Sequence, residues 1–192
     1  GMGEPFLNYD NVWGAVKSSL KGKLFKHELP EEKKFYFLNR GIQDLKSGDN
    51  HIVLLSHSRA YTWGDNDTGA LGTVFRGELE EKKIFEPNAV GLKAVVRIFV
   101  GKNASFFETK KHQIYGCGLN NYGQLGTAPE SDEERWLKPS LIEQLDGAEI
   151  VNIVGGEHHT LVLKKDGTVM GAGRNDDGQI GETVDDENDG ME

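Results

Sequence analysis

Apolar and polar residues alternate over short runs along most of the chain, and each run stops at a turn signal. Ile52-Val53-Leu54-Leu55 is followed by Ala60-Tyr61-Thr62-Trp63, and Thr160-Leu161-Val162-Leu163 by Thr168-Val169-Met170. Runs this short, rich in β-branched and aromatic residues and separated by Ser56-His57-Ser58 or Lys165-Asp166-Gly167, predict β-hairpins. Ahead of the hairpins stand further apolar runs, Ile42–Leu45, Val95–Val100 and Ile150–Val154, which predict incoming strands. Helix is expected only in connectors, as at Ser140–Leu145, where Ser140 would cap and Glu143 complete a short box. No apolar run approaches the ~20 residues of a membrane-spanning helix.

The strand pattern recurs with a long period. Gly48-Asp49-Asn50-His51 precedes Trp63-Gly64-Asp65-Asn66-Asp67-Thr68-Gly69-Ala70-Leu71-Gly72. Gly101-Lys102-Asn103-Ala104 precedes Cys117-Gly118-Leu119-Asn120-Asn121-Tyr122-Gly123-Gln124-Leu125-Gly126. Gly156-Glu157-His158-His159 precedes Ala172-Gly173-Arg174-Asn175-Asp176-Asp177-Gly178-Gln179-Ile180-Gly181. Gly64, Gly118 and Gly173 lie 54 and 55 residues apart, and a weaker copy stands at Trp13-Gly14 with Lys21-Gly22-Lys23-Leu24. A period near fifty with several strands per repeat predicts the blades of a β-propeller. The Gly-x-x-x-x-Gly-x-Leu-Gly loop is expected to turn through positive φ, with its one apolar residue pegging the loop to the blade. The repeats cover about 11–25, 48–72, 101–126 and 155–181 within a unit of residues 1–181.

Composition narrows the classes. The chain has 192 residues with a formal charge of −9, and the segment 182–192 carries six acids and no base; without those six the charge is −3. That segment reads as a solvated acidic tail, and the remaining balance does not suggest a basic nucleic-acid-binding domain. A single cysteine, Cys117, excludes an internal disulfide framework and a Cys-built zinc site, and fits a reducing compartment.

Candidate chemistry is sparse. The histidines are His27, His51, His57, His112, His158 and His159. His51 and His159 share a repeat position, three after the glycine, where packing and a hydrogen bond to neighbouring backbone are expected. His158 stands where the other copies have Asn50 and Asn103, so it varies within a constant frame and is the better candidate for an exposed, functional residue. Adjacent His158 and His159 cannot readily face one metal, so no metal site is expected. Asp185-x-Glu187-x-Asp189-Gly190 imitates the start of an EF-hand loop, but the sequence given ends before the twelfth-position carboxylate. No Ser–His–Asp arrangement or phosphate-binding Gly-x-x-x-x-Gly-Lys-Ser/Thr loop is present, and Gly116-Cys117-Gly118 and Gly171-Ala172-Gly173 precede polar turns rather than helices. The residues thus point to a binding module without bond chemistry of its own and without a cofactor.

The Gly-x-x-His-Thr half and the Gly-x-Asn-x-x-Gly-Gln-Leu-Gly half, in phase across about 11–181, resemble the regulator of chromosome condensation propeller family. The resemblance is strongest to the middle blades of that family's guanine-nucleotide exchange factor. It implies an all-β fold and a partial propeller, about three and a half of seven four-stranded blades, with the other blades missing or supplied by a separate chain. It implies exchange on a Ran-type small GTPase by insertion of a wedge and displacement of nucleotide, in the nucleus, with nucleosomes or histones as further partners. A generic propeller adaptor without exchange activity is the alternative.

Residue by residue, the resemblance assigns the wedge to Ala15–Lys23, including Lys17, Ser18, Ser19 and Lys21. It places Asp49, Asn50, Glu157 and His158 on the GTPase-facing side, and Arg76, in the loop 73–85, against the nucleosome. An open set of blades would expose apolar inter-blade faces, with Trp13, Val151 and Ile153 as candidates, and the isolated piece is expected to self-associate or aggregate.

Overall fold

A computed structural model describes residues 41–73, 83–128 and 134–181. The repeat at Trp13, the wedge residues Lys17, Ser18, Ser19 and Lys21, Arg76 and the tail 182–192 lie outside the described residues. The described residues form three antiparallel sheets, the blades of a partial β-propeller. The first holds β1 (Asp44–Ser47), β2 (His51–Ser56), β3 (Arg59–Asp65) and β4 (Lys83–Ala89). The second holds β5 (Val95–Val100), β6 (Ala104–Thr109), β7 (Ile114–Leu119) and β8 (Arg135–Leu141). The third has three described strands, β9 (Ile150–Gly155), β10 (His159–Lys164) and β11 (Val169–Gly173). Within each sheet sequential strands are neighbours, and β1, β5 and β9 stand side by side across the sheets.

The hairpins close as their turn residues dictate. His57 and Ser58 both take positive φ, 49° and 61°, the backbone of a two-residue hairpin turn. In the third sheet Gly167 supplies the positive φ and the Asp166 carboxylate accepts the Thr168 N–H at 2.9 Å. β2 and β6 are buried almost end to end, and β6 lies in the middle sheet, with a sheet on either side. Phe107 faces the first sheet with Val53, Leu55, Val95 and Ile98, while its neighbour Phe106 faces the third with Ile114, Ile150, Ile153 and Val162. Successive residues of a strand point to opposite faces, so one strand feeds two cores. Full burial of each such side chain stabilises by roughly 1.5–3 kcal/mol.

A charged latch ties the second sheet to the third. Arg97 on β5 donates to the Glu108 carboxylate at 3.1 Å and to the backbone carbonyls of Ile150 and Val151 on β9. Glu108, buried, also lies 3.1 Å from the His112 Nδ1.

Three local expectations are corrected. Ser140–Leu145 is not a capped helix: Ser140 lies in β8 opposite Gly116, and only Glu143–Leu145 forms a 3-10 turn, preceded by Ile142 without a side-chain cap. The strand expected at Ile42–Leu45 runs instead over Asp44–Ser47. Ile153 is 3% exposed, because the register of β9 turns it into the core with the second sheet, whereas Val151 is 46% exposed.

Candidate functional site

The turns between the first two strands of each sheet and the loops after the third strand share one end of the blades, because the third strand finishes where the second begins. The backbone there is the same in every repeat. The N–H groups of Asp65, Leu119 and Arg174 donate to the carbonyls of Asn50, Asn103 and His158 at 2.8, 3.0 and 2.8 Å. The preceding glycines, Gly64, Gly118 and Gly173, have φ of 114°, 121° and 105°, and a Cβ on any of them would stand 2.2–2.3 Å from those same carbonyl oxygens. Positions 50, 103 and 158 are therefore fixed through the backbone, and their side chains are left to vary.

The asparagine of the loop motif is a clamp. Oδ1 of Asn66, Asn120 and Asn175 accepts the N–H of Leu71, Leu125 and Ile180 at 3.2, 2.9 and 3.2 Å. Leu71 and Leu125 are buried pegs, as the apolar position of the motif predicts. The loop also staples neighbouring blades: the carbonyl of Ala70 accepts the Ser105 hydroxyl of the second sheet at 2.8 Å, and Arg135 of β8 donates to the carbonyl of Asp67.

The glycine that opens Gly-x-x-His has a different task. A Cβ on Gly48 would sit 2.2 Å from the His51 ring, and one on Gly156 2.3 Å from the His159 ring. The imidazole fills the space that a side chain on the glycine would need. His51 is buried and its Nε2 meets the Ser105 hydroxyl at 3.0 Å, a side-chain partner on the next sheet in addition to a backbone hydrogen bond at Ala104. Burial holds the His51 pKa down, from 6.5 to about 4, against the weaker opposing pull of the Ala104 backbone and the Asp49 carboxylate. His159 is only half-buried, and no sheet follows the third among the described residues.

Of the residues assigned to the GTPase-facing side, Asp49, Asn50, Glu157 and His158 all fall on this end, brought together by the convergence of β1, β5 and β9. The N–H of Asp49 donates to the carbonyl of Lys102 at 3.1 Å, and the N–H of Lys102 to that of Gly155 at 3.3 Å. Lys102 was not among the candidates, yet it is their hub. Its ammonium lies 3.0 Å from a Glu157 carboxylate oxygen and 3.4 Å from one of Asp49. The hydrogen bond that Lys102 donates to Glu157, then that to Asp49, raises the Lys102 pKa, and Lys102 in turn lowers that of Glu157. The signal was present in the sequence: Asp49, Lys102 and Glu157 occupy one repeat position with alternating charge. His158 is partly exposed, its Nε2 is 3.7 Å from Glu157, and its ring packs on Tyr122, centroid to centroid 4.9 Å. Asn50 is exposed.

Comparison with known proteins agrees with this architecture. Models of the regulator of chromosome condensation (RCC1) repeat match residues 111–163 and 150–179. The chain is 37% identical over 145 residues to "Protein pim1" of Schizosaccharomyces pombe, covering 73% of this chain and 26% of that protein. It is 31% identical over 147 residues to "Guanine nucleotide exchange factor SRM1" of Saccharomyces cerevisiae, covering 76% of this chain and 30% of that protein. The crystal structure of Prp20p from Saccharomyces cerevisiae, described with its binding properties to Gsp1p and histones, superposes with a TM-score of 0.72 at 27% identity, over 91% of this chain and 41% of that one. The chain thus spans about a quarter to two fifths of these relatives. With three in-phase copies of the glycine–histidine turn and the asparagine-clamped loop, and with those matches, the chain belongs to the regulator of chromosome condensation (RCC1) repeat family.

Proposed function

We propose that this chain provides GTPase-contacting blades of a guanine-nucleotide exchange factor for a Ran-type small GTPase. The observation that carries the reading is the gathering of Asp49, Asn50, Glu157 and His158 on one end of the blades, in a chain similar to a protein named as an exchange factor. A surface with these groups and no nucleophile acts by binding. A partner surface that holds the nucleotide-free GTPase more tightly than the nucleotide-bound form lowers nucleotide affinity by the same factor. The wedge that would enter the nucleotide site is assigned by resemblance to Ala15–Lys23, with Lys17, Ser18, Ser19 and Lys21. Nuclear location and histone binding, the latter through Arg76, belong to the same reading and are supported by the yeast relative described as binding histones.

Release of fluorescent GDP from a Ran-type GTPase, catalysed by the full-length protein, tests the proposal. His158→Ala is expected to slow release about tenfold with an unchanged melting temperature, the loss of a contact worth ~1.4 kcal/mol. His159→Ala, which removes a ring packed over Gly156, is expected to lower the melting temperature and leave exchange intact. Wild-type protein that does not accelerate release refutes exchange activity and favours an adaptor role. Normal exchange by His158→Ala refutes the assignment of that residue.

A further inference from the structure

The three loops on the binding end occupy equivalent repeat positions but differ in charge. The first presents Asp65, Asp67 and Thr68, and the third Arg174, Asp176 and Asp177. The middle loop presents Leu119, Asn121 and Tyr122 and carries no charge. Arg174 is already engaged with Asp176 at 2.6 Å. A neutral centre with an aromatic tip is thus bordered by acidic loops on both sides, the arrangement of a binding patch with an apolar middle and a charged rim.

A lone exposed tyrosine signifies little, but Tyr122 is held in place. It is 47% exposed, yet its backbone N–H donates to Gln124 Oε1 at 2.9 Å, and Gln124 Nε2 donates to Asn121 Oδ1 at 3.0 Å. Gly123 N–H donates to the Asn120 carbonyl at 3.0 Å, while the Asn120 side chain clamps Leu125. One edge of the ring rests on His158, tilted by 57°, which joins the tip of the second blade to the turn of the third. The loop backbone is fixed and the ring packs on His158, so the freedom to be lost on binding is reduced.

We propose that Tyr122 is the central anchor of the GTPase contact, received by an uncharged patch on the partner that is bordered by lysine and arginine side chains. This rests on the exchange-factor reading and deepens it. The apolar centre sets how long the complex lasts, because its contacts are desolvated. The exposed rim carboxylates Asp67 and Asp177 set how fast the partner is captured, because they act at a distance and are screened by salt.

The test uses the full-length protein and a nucleotide-free Ran-type GTPase, with association and dissociation rates measured at low and high salt. Tyr122→Ala is expected to dissociate about twentyfold faster at both salt concentrations, with an unchanged melting temperature. Tyr122→Phe, which keeps the ring, is expected to stay within about threefold of wild type. The double variant Asp67→Asn, Asp177→Asn is expected to associate several-fold more slowly at low salt and normally at high salt. Wild-type dissociation by Tyr122→Ala overturns the anchor and leaves the exchange reading standing. A melting temperature lowered by several degrees in Tyr122→Ala assigns the residue to folding and overturns the anchor as well. Unchanged association in the double variant overturns the charged rim. Absence of any binding by wild type overturns this inference and the exchange reading together.

Discussion

His51 makes the seam between the first two blades sensitive to acid, and the size of the effect follows from its surroundings. Ser105 Oγ lies within hydrogen-bond distance of both His51 Nε2, at 3.0 Å, and the Ala70 carbonyl, at 2.8 Å, and burial keeps the ring neutral. The folded protein resists adding a second proton there: the pKa falls from 6.5 to about 4 because the cation would be buried. In the unfolded chain the same residue takes up a proton as pH drops below 6.5. The stabilisation is therefore complete above pH 6.5, declines by about 1.4 kcal/mol per unit as pH falls, and is exhausted below pH ~4. Between pH 7 and pH 5 the loss is about 2 kcal/mol, and over the whole window about 3 kcal/mol.

The perturbation that isolates this effect is His51→Gln, whose amide can still hydrogen-bond at Ser105 but does not titrate. Urea unfolding of the full-length protein at pH 7, 6 and 5, followed by tryptophan fluorescence with Trp63 as a buried reporter, gives the stability of each form. Wild type is expected to lose about 2 kcal/mol more than His51→Gln between pH 7 and pH 5. Parallel pH profiles for the two proteins, or a His51 ring resonance titrating near pH 6.5 in the folded protein, refute the reasoning.

Two further outcomes test the packing of the frame. Gly48→Ala places a methyl group 2.2 Å from the His51 ring, so the ring must leave its site; a loss of about 2–3 kcal/mol in the same urea assay is expected, and wild-type stability refutes the close packing. Cys117 is fully buried and its thiol pKa is pushed up to about 12 by burial, so native protein is expected to resist a thiol-specific reagent at pH 8, with labelling appearing only as urea unfolds it; rapid labelling of the native state refutes the tight closure of the first two blades.

The elements legible in the sequence are the inner strand of the middle sheet and the hairpins marked by their turn residues. The apolar run Val95–Val100 matches β5 end to end, and the turn residues mark the hairpins of β2–β3 and β10–β11. The outer strands β4 and β8 were not read as strands, and each contains a proline, Pro87 or Pro139. Both prolines lie where the pairing to the third strand slips, opposite the irregularities at Thr62/Gly64 and Gly116/Gly118. An outermost strand with a bulge has a backbone position that donates no ladder hydrogen bond, which is where proline is tolerated. At the end of the blades that carries the glycine turns, the repeat frame marks position 158 as variable, but the pairing of Asp49 and Glu157 through Lys102 depends on the lateral convergence of three blades. Tyr122 was visible only as a loop residue, since its support comes from His158, a full blade away.

The same convergence explains why one repeat position changes sign from blade to blade. Because β1, β5 and β9 run side by side, the residue after the turn glycine is brought next to its counterparts in the adjoining blades. An acid in all three copies would crowd three carboxylates at one end of the inner strands, and like charges at such distances oppose folding and raise one another's pKa. Lys102 between Asp49 and Glu157 replaces two repulsions with two attractions, at 3.4 and 3.0 Å. All three side chains remain in contact with water, so the pairs hold the surface in register more than they stabilise the fold. One lysine facing two carboxylates also leaves the trio with a net negative charge. The repeat thus fixes the backbone with glycine and asparagine and leaves the adjoining position free to carry a charge that alternates from blade to blade.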